Sequence, residues 1–513
     1  MQNIITHPTR LPLRHSRLPM PHFAAPRSTT TPPRTMKDNL KSKITNLKFT
    51  SRLPLLLALL FAGGAVRAAD EATAAQTPLT PVYTNYMDWQ FRAVEIADTN
   101  AVDNVRHQND FTVPIHGPWL LNPSPDSITV NWITRIPCGA AIDYREKGAA
   151  EFTRVWKTTY GQIDYSSDLH TFHLEGLKPA TTYEYRLVSN CDRHFTAYLD
   201  VYVGRETYSF RTIDPQRSNY KIFVTADHHG TARLTLDPMI NRCGAGDADF
   251  YFFLGDNVED NMNNARFYVT FGFLDDISRR WGPSKPTIFL RGNHDLWGRE
   301  THLWGDFFPR PDGKSYLAFA QGPALFVCLD SMAAGYGSPA QREQVARYLQ
   351  EQAEWIGRLK RGPLWRKSAF RIVMAHYGIH GSSMDKTMAP VFKQVLNDSS
   401  AAGRIHLYLA GHEHGYMRID PRSIDTKVGE ISPNSRRSME LKPDNNFTHV
   451  ICTLTEGMTI EVAPQKLTVR SHLWNQPAGG LRDAFEIRPD GSVRDLMEVK
   501  VFPAPAAEQD KSR

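Results

Sequence analysis

Five short clusters of metal-capable side chains recur in the C-terminal part of this 513-residue chain. They are Asp227-His228-His229, Gly255-Asp256-Asn257, Gly292-Asn293-His294-Asp295, the single His376, and Gly411-His412-Glu413-His414. Imidazole, carboxylate and amide oxygen together suit borderline or hard ions, with Fe, Mn and Zn the candidates. A carboxylate can bridge two such ions, holding them about 3.5–4 Å apart with a shared hydroxide. Taken singly, each cluster is a weak signal. Asp-x-His is common, Gly-Asp-Asn more often makes a turn, and a lone His376 would more often be a satisfied core histidine. Their succession, each at the end of an apolar run, separates them from chance.

Those runs must position the clusters. Tyr220–Thr225, Phe250–Leu254, Thr287–Leu290, Phe370–Met374 and Ile405–Leu409 are short and almost wholly apolar, the pattern of strands buried on both faces in an α/β domain. Strand ends in such sheets open into a crevice where loops converge, and a rigid strand fixes where each loop begins. Gly255, Gly292 and Gly411 let the chain turn beside bulky ligands. Between these runs, Gln341–Arg361 has helical spacing, with Val345, Tyr348, Leu349, Ala353 and Trp355-Ile356 among its apolar positions. Past Ile451 strands and hairpins return (Gly457–Val469, a turn at Pro489-Asp490-Gly491) and are expected to form a closing sheet of the same domain, spanning 219–502. Residues 113–213 read differently. Ile128, Val130 and Trp132 alternate with polar residues, as do Ile142 and Tyr144, and Tyr183, Tyr185 and Leu187. Short alternating strands separated by Asn122-Pro123, Pro125-Asp126 and Lys178-Pro179 predict a β-sandwich. Residues 69–112 are expected to wrap the surface as an extension, and 503–513 to form a loose tail.

The net charge of +6 belongs to the leader. Residues 1–68 hold eleven Lys or Arg and one acid, Asp38, so they contribute +10 and leave −4 for the remainder. No nucleic-acid partner is indicated. The apolar run Leu53–Val66 follows Lys41, Lys43, Lys48 and Arg52 and precedes small residues, with a cleavage site expected after Ala68. It falls short of the roughly 20 apolar residues a spanning helix needs. The chain is therefore expected to be exported, periplasmic or extracellular, with no stable membrane anchor after cleavage. Met36 is a plausible true start; an organellar transit peptide is the competing explanation of Met1–Thr35. The five cysteines form no close pair, so a thiolate metal site is not expected. Cys328 and Cys452 lie in apolar runs and read as buried thiols. The residues carry no signal of oligomeric state.

In this order the clusters resemble the calcineurin-like metallophosphoesterase family over roughly residues 219–420. Gly117-Pro118-Trp119-Leu120 resembles the start of the N-terminal domain of purple acid phosphatases, extending that likeness over about 113–480. Leu174-Glu175-Gly176-Leu177-Lys178-Pro179, with Thr181 and Tyr183, resembles a fibronectin type III signature. The resemblance implies a four-layer α/β/β/α sandwich behind the β-sandwich. It implies one metal held by Asp227, His229 and His414, a second by Asn293, His376 and His412, and Asp256 bridging them. His294 would protonate the leaving oxygen or stabilise the phosphoryl oxygens, and Asp295 would orient His294. In the sandwich topology it implies, Cys138 and Cys191 end strands whose loops meet, so a bridge between them is possible. One position departs from the purple enzymes: Glu259 stands where they carry an iron-binding Tyr, and His229 supplies the missing ligand. No tyrosinate charge-transfer colour is expected.

The implied activity is hydrolysis of phosphate monoesters of a small phosphorylated substrate, by in-line attack of the hydroxide shared between the metals. Two alternatives stand beside it: a phosphodiesterase or nucleotidase on the same core, and a surface binding protein whose metal core is structural. His228, His380, Tyr377 and Tyr416 adjoin the clusters and are candidates for substrate contact. His170 and His173 read as structural residues of the sandwich. Trp281, Trp297 and Trp304 read as packing residues that could also shape a substrate rim, and Glu413 is expected to point away from the metals.

Overall fold

The structure is a computed structural model. It describes residues 113–190, 201–204, 206–259, 261–332, 337–379, 385–423, 425–427, 445–452, 455–476 and 480–502. The leader, the 69–112 extension, the tail over 503–513, Cys191 and His380 lie outside the described residues.

The N-terminal part is two antiparallel sheets face to face. One holds Pro114–Leu121, Ile128–Thr134 and Leu169–Leu174; the other holds Tyr208–Arg211, Thr182–Asn190, Gly139–Glu146 and Thr153–Trp156, with Val201–Val203 paired to Thr182–Asn190. Strand alternation sends Ile128, Val130 and Trp132 into the core between them, against Ile142, Tyr183, Tyr185 and Leu187. The opposite face of Ile128–Thr134 is buried as well, where polar residues predicted solvent. The reason is docking. Ile133, Trp119 and Ile115 pack with Phe307 and Phe308 of the following domain, and Asn131 Nδ2 and Trp119 Nε1 both donate to the Phe307 carbonyl, at 3.3 and 3.1 Å. Further bonds cross the same junction. Leu120 N–H donates to Gly282 O at 3.0 Å, and Tyr185 Oη donates to Pro283 O at 2.7 Å. Cys138 is buried, its Sγ 3.4 Å from Thr134 Oγ1; the expected partner Cys191 is not among the described residues.

The second domain has two sheets with helices outside each. The first sheet runs Thr287–Phe289, Phe250–Phe253, Tyr220–Thr225, Glu456–Ala463, Lys466–Leu473, Gly480–Ile487, Val493–Asp495. The second runs Leu317–Gln321, Ala324–Cys328, Phe370–Met374, Leu407–Ala410, Thr448–Ile451, Met417–Ile419, Thr426–Lys427, Val501–Phe502. Alternation explains why the runs are apolar throughout. Ile222, Val224, Phe252 and Phe326 face the other sheet, whereas Phe223, Tyr251 and Phe253 meet the helix Ala232–Cys243. Leu325, Val327 and Val373 meet the helix Pro339–Arg361. That helix starts two residues before the predicted Gln341, because Ser338 caps it by accepting from Gln341 N and Pro339 occupies its first turn. The strands after Ile451 make no separate closing sheet. Glu456–Ala463 pairs antiparallel with Tyr220–Thr225, the strands after it extend that first sheet to Asp495 as an antiparallel meander, and Val501–Phe502 ends the second.

Candidate metal centre

All five clusters sit where strands of the two sheets end. The parallel strands Tyr220–Thr225, Phe250–Phe253 and Thr287–Phe289 run in register, so Asp227, Asp256 and Asn293 leave the sheet at one end. From the second sheet the parallel strands Phe370–Met374 and Leu407–Ala410 bring His376 and the 411–414 loop to the same place. Main-chain bonds lock the loops together: Asp227 N–H donates to Gly255 O, His229 N–H to Asp256 O, and Gly411 N–H to His376 O, at 3.0, 2.9 and 2.8 Å.

The side chains form two groups that share one member. Donor atoms of Asp227, His229, Asp256 and His414 lie within 4.8 Å of one another, and so do those of Asp256, His376 and His412. Asn293 Oδ1 stands 3.2 Å from His376 Nε2. Asp256 Oδ2 is 3.3 Å from His376 Nε2 and 3.9 Å from His229 Nε2; His229 and His414 turn Nε2 atoms toward each other at 3.0 Å. Two approaches leave no room for a side chain. A Cβ on Gly255 would fall 2.6 Å from His376 Nδ1, and one on Gly292 would overlap the Asp256 carboxylate.

Several observations fit a pair of metal ions. Asp227 and Asp256 are buried, and among the described residues their only ion-pair partners are histidines. A buried carboxylate needs a compensating positive charge. His376 Nδ1 lies 2.9 Å from Leu254 O; donating there leaves Nε2 free to act as a ligand. Burial lowers the pKa of His229 to about 4 and of His412 to about 3, which favours the neutral, metal-binding form. Burial also disfavours a charged His376, but adjacent Asp256 outweighs it and raises its pKa to about 9. Burial pushes Asp227 up to about 8. Five of the seven expected ligands, Asp227, His229, Asp256, His412 and His414, have left-handed backbones with φ between 46° and 75°. Such strain costs about 1–3 kcal/mol per residue and clusters at functional sites.

His294 lies at the rim. Its ring is 4.6 Å from that of His229, its Nε2 is 4.0 Å from Asp256 Oδ2, and its side chain keeps 23% exposure. Its backbone N–H donates to Asp256 Oδ1 at 2.9 Å. Asp295 is not placed as expected. Its buried carboxylate accepts from the main-chain N–H groups of Asn257, Val258 and Gly292 and from Asn257 Nδ2. Both oxygens are spent tying the Asp256 loop to the Asn293 loop, not on the His294 ring. Burial pushes Asp295 up to about 6.

The substrate-contact candidates fare differently again. His228 is buried, bonded to Thr225 and Thr235 and stacked on Phe253, so it faces the helix layer and not the cluster. Tyr416 is buried and donates to Asp483 Oδ2 at 2.9 Å. Tyr377 is buried with its ring edge-on to that of the expected ligand His412 at 4.5 Å. Glu413 is buried. Trp281 stacks on Tyr251 and Trp304 packs on Phe308. Trp297 is the tryptophan at the site, 4.7 Å from the His294 ring; its spacing of three from His294 across a helical turn is the signal that could have singled it out. Asn257, whose Gly-Asp-Asn setting predicts a turn, uses its side-chain Nδ2 to bond both Leu290 O and Asp295 Oδ2.

The family described as calcineurin-like phosphoesterase matches residues 220–416, and the purple acid phosphatase N-terminal domain matches 118–212. No curated protein matches the chain. Among solved structures, the purple acid phosphatase PPD1 from yellow lupin (Lupinus luteus) seeds is 16% identical, with 73% of this chain and 75% of that chain covered and a TM-score of 0.51, a likeness of fold. A structure of PhoD is 12% identical, with 75% of this chain and 92% of that chain covered and a TM-score of 0.48. Residues 220–416 thus match the calcineurin-like phosphoesterase family, and residues 118–212 before them match the N-terminal domain of purple acid phosphatases.

Proposed function

We propose that this phosphoesterase is an exported phosphatase that hydrolyses monoesters of small phosphorylated molecules at a centre of two metal ions. The observation that carries the reading is the pair of ligand groups sharing Asp256, with His294 beside them but outside both. Asp227, His229 and His414 would hold one ion, and Asn293, His376 and His412 the other. Borderline imidazole and hard oxygen donors suit Fe, Mn or Zn. When bound, the ions supply Lewis-acid neutralisation of phosphoryl charge and a water acidic enough to be deprotonated near neutral pH.

The remaining work falls to the protein. Its loops hold the ligands rigidly, so the charge that develops on the phosphoryl group meets groups already in place. His294, partly exposed and 4.0 Å from Asp256, is positioned to give a proton to the leaving oxygen. Trp297 flanks that ring. Glu259 in place of a tyrosine supports a centre without tyrosinate colour; its side chain is exposed beside Gly230. The export reading rests on the basic-then-apolar leader. The sandwich is read as fibronectin type III-like from the Leu174–Tyr183 pattern. Among the described residues no helix is long and apolar enough to cross a membrane.

A direct test measures metal content together with hydrolysis of a nitrophenyl phosphate monoester and a bis-nitrophenyl diester. About two ions per chain and faster monoester turnover are expected. Preference for the diester would move the assignment to phosphodiesterase. Bound metal with no turnover of either would favour the binding-protein reading.

A further inference from the structure

A cavity of about 330 Å³ lies away from the metal ligands, at the seam between the sandwich and the catalytic domain. Its walls come from the Leu121–Pro123 turn, the edge strand Thr287–Phe289 and the 301–317 stretch. None of these residues belongs to either ligand group. Small-molecule sites favour domain junctions and start near this volume, at about 300 Å³.

The lining has two characters. Leu121, Trp304, Phe308 and Leu317 supply its apolar part. Three cationic side chains, Arg291, Arg310 and Lys314, line it as well, and they are paired unequally. Arg291 is bonded to Asp330, and Lys314 to Glu351 at 2.7 Å. Among the described residues Arg310 has two contacts, both long: Nε to Asp312 Oδ1 and Nη1 to Asn122 Oδ1, each 3.4 Å. Its side chain is 16% exposed, whereas Asp312 is 56% exposed and well solvated. Burial lowers the Arg310 pKa below its usual value. A desolvated guanidinium that lines a cavity, its carboxylate partner Asp312 lying 3.4 Å away and mostly in solvent, can receive an anion, in bidentate geometry where the partner allows it.

We propose that this cavity binds a small organic anion, an aromatic or aliphatic body carrying one carboxylate or phosphate group, with the charge on Arg310 and the body against Trp304 and Phe308. The occupant would touch both domains and also Arg291, two residues from the expected metal ligand Asn293. It therefore fits an effector more closely than a second substrate.

The test uses the metal-loaded full chain without added phosphate, repeated after chelator treatment, so that binding at the metal centre is told apart from binding at the cavity. Two probes, 1-naphthoate and 1-naphthylphosphonate, are titrated by calorimetry to distinguish the carboxylate from the phosphate source. One site per chain is expected for at least one probe. Arg310→Gln should weaken it about 10- to 100-fold, the loss of a charged hydrogen bond. Gly305→Phe provides a second route, since Gly305 lines the cavity and a Cβ there meets nothing within 4 Å. That variant should obstruct binding while monoester turnover continues, which also shows that it folds. Failure of both probes to bind the native chain would overturn the proposal. So would binding that both variants leave intact, or binding that a chelator abolishes.

Discussion

Asp295 offers the sharpest test of how the centre is built, because its expected and observed roles predict different outcomes. In the structure its buried carboxylate is the shared acceptor of three main-chain N–H groups, on Asn257, Val258 and Gly292, and of Asn257 Nδ2. Asp295→Ala strands the three main-chain donors, while Asn257 Nδ2 keeps its bond to Leu290 O at 2.9 Å. A buried donor without an acceptor costs about 1–3 kcal/mol, so the gross loss is about 3–9 kcal/mol. Removing the carboxylate also removes the cost of burying its charge, and the net settles at about 3–5 kcal/mol, as when one partner is stripped from a buried charged network. That is a large share of the roughly 5–15 kcal/mol that stabilises a folded domain. Asp295→Asn keeps one acceptor oxygen but turns an amide toward amide donors, and should lose about 1–3 kcal/mol. The assay is urea unfolding of chelator-treated protein, with elemental analysis of the metal-loaded form. The midpoint should drop in the order native, Asn, Ala, and metal content should fall as the Asp256 and Asn293 loops part. An unchanged midpoint with full metal content and reduced turnover would refute this reasoning and restore Asp295 as the residue that orients His294.

The remaining predictions are briefer. Asp256→Ala should remove both ions, read as metal per chain falling from about two toward zero, because its oxygens serve both ligand groups. His294→Ala should keep its metals and lose turnover by about 10²–10⁴-fold; loss of metal would make His294 a ligand. Trp119→Ala, at the seam with Phe307, should cost about 3–5 kcal/mol by denaturant midpoint, and a change below 1 kcal/mol would mean the domains are not coupled there. His170 in the sandwich has its pKa lowered to about 3 by burial, with Lys157 and Arg266 adding to the effect. Its neutral form is therefore favoured by folding, and stability is lost as pH drops below the unfolded value near 6.5. About 2–3 kcal/mol should go between pH 6.5 and 4.5, a slope that His170→Gln should flatten in urea titrations.

The layers and the metal-capable residue types were legible in the sequence alone. Runs such as Phe250–Leu254 are apolar at every position because one face meets the opposite sheet and the other meets helices, a constraint that shows in composition alone. Polar clusters at the ends of such runs mark where ligands leave the sheets, since an apolar strand cannot carry them inside. Direction and partnership were not legible. His228 and His229 are neighbours, yet one turns to Thr235 in the helix layer and the other to Asp256. Asp295 adjoins His294 but spends its oxygens on a loop 37 and 38 residues away. Ile128–Thr134 alternates like a half-solvated strand, but its second face is covered by the catalytic domain. In each case the deciding fact is what stands across a gap from the side chain. Local pattern records the burial and backbone shape a residue needs, whereas its partner is supplied by a segment whose distance along the chain leaves no periodic trace. Only the tertiary structure brings the two together.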